Sequence, residues 1–137
     1  MMVKDLPKKA QDLLNDPQAV KIIATQTTDT DLHMVPLGSL SAPTPDRIVF
    51  ARVLIKETHA NLEKALKNGH HVSVLAIKGG EAYQIRCQVR SFDTSGPLYE
   101  AVGAKIREMK LPFNGVWQLE PVDVINQSPG PEAGKHI

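Results

Sequence analysis

A chain of 137 residues has room for one domain with a real core, and 42% hydrophobic against 23% charged residues is the balance of an ordinary globular protein. The net charge of +1 and the aromatic content of 4% argue against a nucleic-acid binder, which needs a basic stripe or stacking platforms. No apolar run approaches the roughly 18 residues of a membrane span, no signal-peptide stretch follows Met1, and the lone Cys87 excludes an internal disulfide framework, so a cytoplasmic protein is expected.

Leu6 to Asn15 reads as a short helix with Ala10, Leu13 and Leu14 on one side, stopped by Asn15-Asp16-Pro17. Ala19 to Thr27 is a strand in which Val20, Ile22 and Ala24 alternate with Lys21, Ile23 and Thr25. His33 to Leu40 is a second strand, made irregular by Pro36 and Gly38, and Ser41 to Asp46, with two prolines, is a loop. Arg47 to Ile55 is almost continuously apolar and reads as a strand buried on both faces.

A helix is expected from about Thr58 to Asn68, with Gly69 as its left-handed stop. His71 to Lys78 and Glu81 to Phe92 are strands joined by Gly79-Gly80, a tight hairpin signal. The second alternates cleanly, Tyr83, Ile85, Cys87 and Val89 against Gln84, Arg86, Gln88 and Arg90. Ser95-Gly96-Pro97 opens another helix, with Leu98, Val102, Ile106 and Met109 in register. Val116 to Ile125 is the last strand. The whole is one domain over residues 1–126 and a frayed tail over 127–137. Six mostly antiparallel strands with two or three helices define a mainly β, α+β fold, expected as a six-stranded antiparallel barrel.

Several segments resemble, in order, the FMN-binding split barrels of the pyridoxamine-phosphate-oxidase-like family. They are Leu32-His33-Met34-Val35-Pro36-Leu37-Gly38-Ser39, Asp46-Arg47-Ile48-Val49-Phe50-Ala51, and Lys56-Glu57-Thr58-His59-Ala60-Asn61-Leu62, followed by His71-Val72-Ser73-Val74-Leu75, Ala82-Tyr83-Gln84-Ile85-Arg86 and Thr94-Ser95-Gly96-Pro97-Leu98-Tyr99-Glu100. The third resembles the family's Lys-Thr-x-x-Asn-Leu signature with Glu57 inserted. The resemblance runs from about Ala19 to Val124 and implies a split barrel, FMN as cofactor, a homodimer that builds the cofactor site from both chains, and flavin-dependent redox chemistry. It departs from true pyridoxamine-phosphate oxidases at Val116-Trp117-Gln118-Leu119-Glu120-Pro121, which no arginine follows, so oxidation of vitamin B6 is not expected. A deazaflavin-dependent reductase and a non-catalytic binding module are the alternatives.

The resemblance places the phosphate at the junction between the third strand and the helix that follows it. Lys56 brings a positive charge, Thr58 a hydroxyl, Asn61 an amide, and the free N–H groups of the helix start favour an anion. Read without the resemblance, Thr58 is an N-cap and Lys56 a solvated charge. Val35, Pro36, Leu37, Gly38 and Ser39 would carry the flavin ring, glycine permitting close backbone approach, or else form a barrel corner. Gln84 would donate to a ring carbonyl or simply lie exposed; Trp117 would reach the partner's flavin or pack in the core. His33, His59, His70, His71 and His136 show no ligand spacing, so no metal is expected, and Cys87 reads as packing.

Overall fold

The computed structural model describes residues 2–137. The elements run α1 (Lys8–Leu14), β1 (Val20–Gln26), β2 (Leu32–Pro36), β3 (Ser41–Thr44), β4 (Arg47–Ala51), α2 (Glu57–Asn68), β5 (His71–Lys78), β6 (Glu81–Asp93), α3 (Pro97–Glu108) and β7 (Val116–Asn126). All seven strands join one antiparallel sheet in the order β2-β1-β5-β6-β7-β4-β3. The mainly β character with three helices matches the expectation.

The strand count does not. Ser41–Thr44, expected as a loop, is a strand paired with β4 through Ser41↔Val49 and Thr44↔Arg47. Pro43 is tolerated because β3 is an edge strand with no further neighbour to receive an N–H. Two other strands end early. β2 stops at Pro36 rather than Leu40, and β4 stops at Ala51 rather than Ile55, where the Arg52 N–H turns to the Gly115 carbonyl at 2.9 Å and Leu54 takes a left-handed φ of 55°.

The two edge strands, β2 and β3, are consecutive in the chain and joined only by residues 37–40. Five Cα steps span at most about 18 Å, so the sheet curls until its edges lie near each other. The sheet has seven strands in place of the expected six, and because β2 and β3 do not pair it keeps an open seam between its edges.

Local sequence explains the helices and hairpin. Gly79-Gly80 closes β5–β6 in register Lys78↔Glu81. Pro97 begins α3, where a missing N–H costs nothing. Gly69 ends α2 with a φ of 73°. β6 turns Tyr83, Ile85 and Cys87 inward against Val72, Val74 and Ala76 of β5, and α1 adds Ala10, Leu13 and Leu14 to the same core. Burial raises the Cys87 thiol's pKa far above the ordinary range. Residues 127–137, expected as a frayed tail, fold back along the sheet. Gln127 N–H donates to the Ala82 carbonyl at 2.8 Å, Ile137 N–H to the Val124 carbonyl at 2.8 Å, and His136 lies 2.9 Å from Asp123. Among the described residues no helix is long and apolar enough to cross a membrane.

Candidate functional site

A groove of about 580 Å³ lies along the seam. Its walls come from the β2–β3 connection, from Ala51 at the end of β4 with Val53 and Ile55 after it, and from Val102, Lys105 and Ile106 of α3 with Met109 at its C-cap. That volume falls within the range of small-molecule sites. Four of the five residues expected to carry a flat ring, Pro36, Leu37, Gly38 and Ser39, line it; Val35 sits one step behind, against the core. The Ser39 hydroxyl accepts the Ala51 N–H at 3.1 Å, which leaves its own proton free to donate. An added Cβ at Gly38 would meet nothing within 4 Å, so the backbone there stands open to a ligand.

Ile55 ends the groove's wall and Lys56 follows it directly at the start of α2. Lys56 is exposed and has no ion-pair partner among the described residues. Thr58 is not the helix cap: the cap position falls at Lys56, and Thr58 is buried inside the first turn. Asn61 is buried too, its amide donating to Thr25 Oγ1 at 3.0 Å and Thr27 Oγ1 at 3.1 Å. Thr27 passes its proton to Glu57 Oε2 at 3.0 Å, and His33 Nδ1 lies 2.7 Å from the same oxygen. Glu57 is thus turned toward β1 and β2, with its charge engaged there.

Gln84 and Trp117 lie elsewhere. Gln84 sits on β6 opposite Leu75, contacting the Ser73 hydroxyl at 3.3 Å, on the sheet's outer face. Trp117 is fully enclosed. Its indole N–H donates to His59 Nδ1 at 3.1 Å, and its ring packs on Phe92 with centroids 4.8 Å apart. The structure therefore sets Pro36–Ser39 on one groove with Ile55, the residue before Lys56, ties Asn61 to Thr25 and Thr27 of the β1 end, and separates Gln84 and Trp117 from the groove.

One groove residue escaped the sequence reading. Lys21 points to the inner side of β1 with Ile23 and Thr25, and only 7% of it is exposed. The signal was present in the alternation of β1, where Lys21 shares a face with Ile23.

The Trp117 bond also fixes the protonation of His59. Nδ1 must be bare to accept the indole N–H, so the proton sits on Nε2, which lies 3.1 Å from Glu63 Oε1. Burial first, and the Arg52 charge second, hold the His59 pKa below its ordinary 6.5, with Glu63 opposing. A depressed folded pKa means the unfolded chain takes up the proton first. Stability from this histidine is complete above the unfolded pKa and falls as pH drops toward the folded one. Melting temperature should fall for the wild type on acidification from roughly pH 7 to pH 5, and more shallowly for His59→Gln. Parallel curves would show that His59 does not carry the effect.

No protein-family model and no curated protein matches the sequence. Solved structures do. An FMN-binding protein from Syntrophomonas wolfei superposes with a TM-score of 0.78 at 14% identity, over 88% of this chain and 85% of that one. HupZ of group A Streptococcus gives 0.75 at 17%, over 94% and 99%. A Lactobacillus delbrueckii protein with the provisional name pyridoxamine 5′-phosphate oxidase gives 0.70 at 19%, over 90% and 99%. The chain therefore has the split-barrel fold of the pyridoxamine-5′-phosphate-oxidase-like proteins.

Proposed function

We propose that the protein is an FMN-binding flavoprotein, acting in the cytoplasm as a flavin-dependent oxidoreductase, with the cofactor held at the interface of a homodimer. The observation that carries this reading is the seam groove, walled by Pro36–Ser39 and by Ile55, the residue that precedes the exposed Lys56 at the start of α2.

The residues fit the two ends of FMN. Lys56 and the free N–H groups of the first turn of α2 would hold the phosphate. Thr58 and Asn61 act from behind, the Asn61 amide fixing α2 against Thr25 and Thr27. Pro36, Leu37, Gly38 and Ser39, backed by Val35, would bear the ring, with α3 excluding water from above. FMN, when bound, supplies the hydride or electron transfer that none of these side chains provides.

The homodimer rests on the outer sheet face. Val20, Leu32 and Met34 are exposed there, and β1–β2 register places Met34 opposite Ala24 and Pro36 opposite Ile22. An apolar face of this kind is suited to a second copy. Gln84 lies on the same face, beside Leu75, where it would reach across the interface. Trp117 contributes as packing behind α2.

The test is an absorbance and fluorescence-quenching titration with FMN. Saturable binding at one FMN per chain is expected, and Lys56→Ala should weaken it at least about tenfold, the worth of a charge-assisted phosphate contact, with the melting temperature unchanged. Equal affinity of wild type and variant would remove Lys56 from the site. No FMN binding, with binding of a deazaflavin, would shift the cofactor while keeping the groove.

A further inference from the structure

The seam groove contains a cation that the flavin reading does not use. Lys21 is about nine-tenths buried on the inner face of β1, yet no carboxylate lies within ion-pair distance of it among the described residues. The nearest acid along the chain, Asp16, is taken by Lys78, whose Nζ lies 2.6 Å from Asp16 Oδ2. No aspartate or glutamate lines the groove, whereas Lys105 of α3 stands on its rim as a second positive charge.

The stem of Lys21 is buried, while its ammonium, with no hydrogen-bond or ion-pair partner among the described residues, opens on the groove. Ile23, the next residue on the same inner face, shows that an aliphatic side chain is compatible with this side of the strand. The surrounding walls are apolar, formed by Leu37, Ile55, Val102 and Ile106. Charge and shape together describe a ligand with an apolar body and one negative end. Of the two cations on the groove, Lys105 is exposed to solvent on the rim and Lys21 alone stands inside, with the Ser39 and Ser41 hydroxyls on the same lining; one interior charge suits a monoanion better than a phosphoryl dianion.

We propose that the seam groove binds a small organic carboxylate, its carboxylate paired with Lys21 and its hydrocarbon body against α3. The proposal depends on the flavin reading only in sharing the wall Pro36–Ser39, and the site stands in flavin-free protein.

Octanoate, octanol and octyl phosphate serve as probes, titrated calorimetrically into flavin-free and FMN-saturated wild-type protein, Lys21→Met and Lys21→Gln. Flavin-free wild type should bind octanoate at least about tenfold tighter than either of the others, and both variants should lose that preference while retaining the native circular dichroism. The wild-type contrast among the three probes decides the matter even if a variant fails to fold. Equal binding of octanoate and octanol, a preference for octyl phosphate, no binding, or an octanoate preference surviving in a folded variant would each overturn the proposal. FMN titrated alongside keeps the readings apart: octanoate failing while FMN binds sinks this inference alone, and the reverse sinks the flavin reading alone.

Discussion

Trp117→Ala should cost the protein about 3–5 kcal/mol, the range for removing a fully buried large aromatic. Trp117 has no exposed surface, and its ring fills the space between Phe92 and His59, with centroids 4.8 and 5.3 Å away. Truncation leaves a cavity and also strips His59 Nδ1 of the indole N–H that satisfies it. Because whole domains of this size hold only about 5–15 kcal/mol, the variant should unfold at a much lower urea concentration. Trp117→Phe keeps most of the packing and loses the hydrogen bond, so it should fall between the two. Alanine and phenylalanine variants of equal stability would mean that the bond to His59, not the volume, dominates. A wild-type urea midpoint for the alanine variant would contradict the packing account.

Gly115→Ala is the second large effect, about 1–3 kcal/mol from overpacking. Gly115 precedes β7, and the Phe92 ring stands where an alanine Cβ would go, with Cζ and Cε1 both in the way. Phe92 has little freedom to yield, since it is pinned between Trp117 and the edge-on His59 ring, 4.9 Å distant. The Gly115 carbonyl also accepts the Arg52 N–H, so a shift of this residue would disturb the turn after β4. Urea denaturation of Gly115→Ala in a Phe92→Leu background separates the causes. The alanine should cost much less once the ring is gone, and an unchanged cost would point to the backbone instead.

What was legible in the sequence was local. The alternation of Tyr83, Ile85 and Cys87 placed one face of β6 inside, and Gly69 and Gly79-Gly80 marked turns that depend on a few neighbouring residues. The ordered segments from Leu32 to Glu100 led to the fold that the solved structures share. Ser41–Thr44 was not legible as a strand, because the tolerance of Pro43 depends on β3 lying at an edge, and strand order is a property of the whole sheet. Thr58 was misplaced as a cap because Lys56 takes helical dihedrals, with φ −93° and ψ −59°, and so moves the helix start back. Lys21 was hidden for a different reason. Alternation sends it inward, but what makes it part of a groove is α3, about eighty positions further along the chain.

The seam has one more consequence, for how the protein behaves when crowded. A free strand edge is a template onto which other chains can stack into fibrils, and this sheet has two of them. Both are blunted. β2 has five residues and ends in Pro36, and β3 has four with Pro43 inside it. The Asn15 side chain occupies β3 further, its amide accepting the Ala42 N–H at 2.7 Å and donating to the Ala42 carbonyl at 2.9 Å, as a neighbouring strand would. The groove along the seam thus stands open while the strand edges beside it are blunted against the backbones of other proteins.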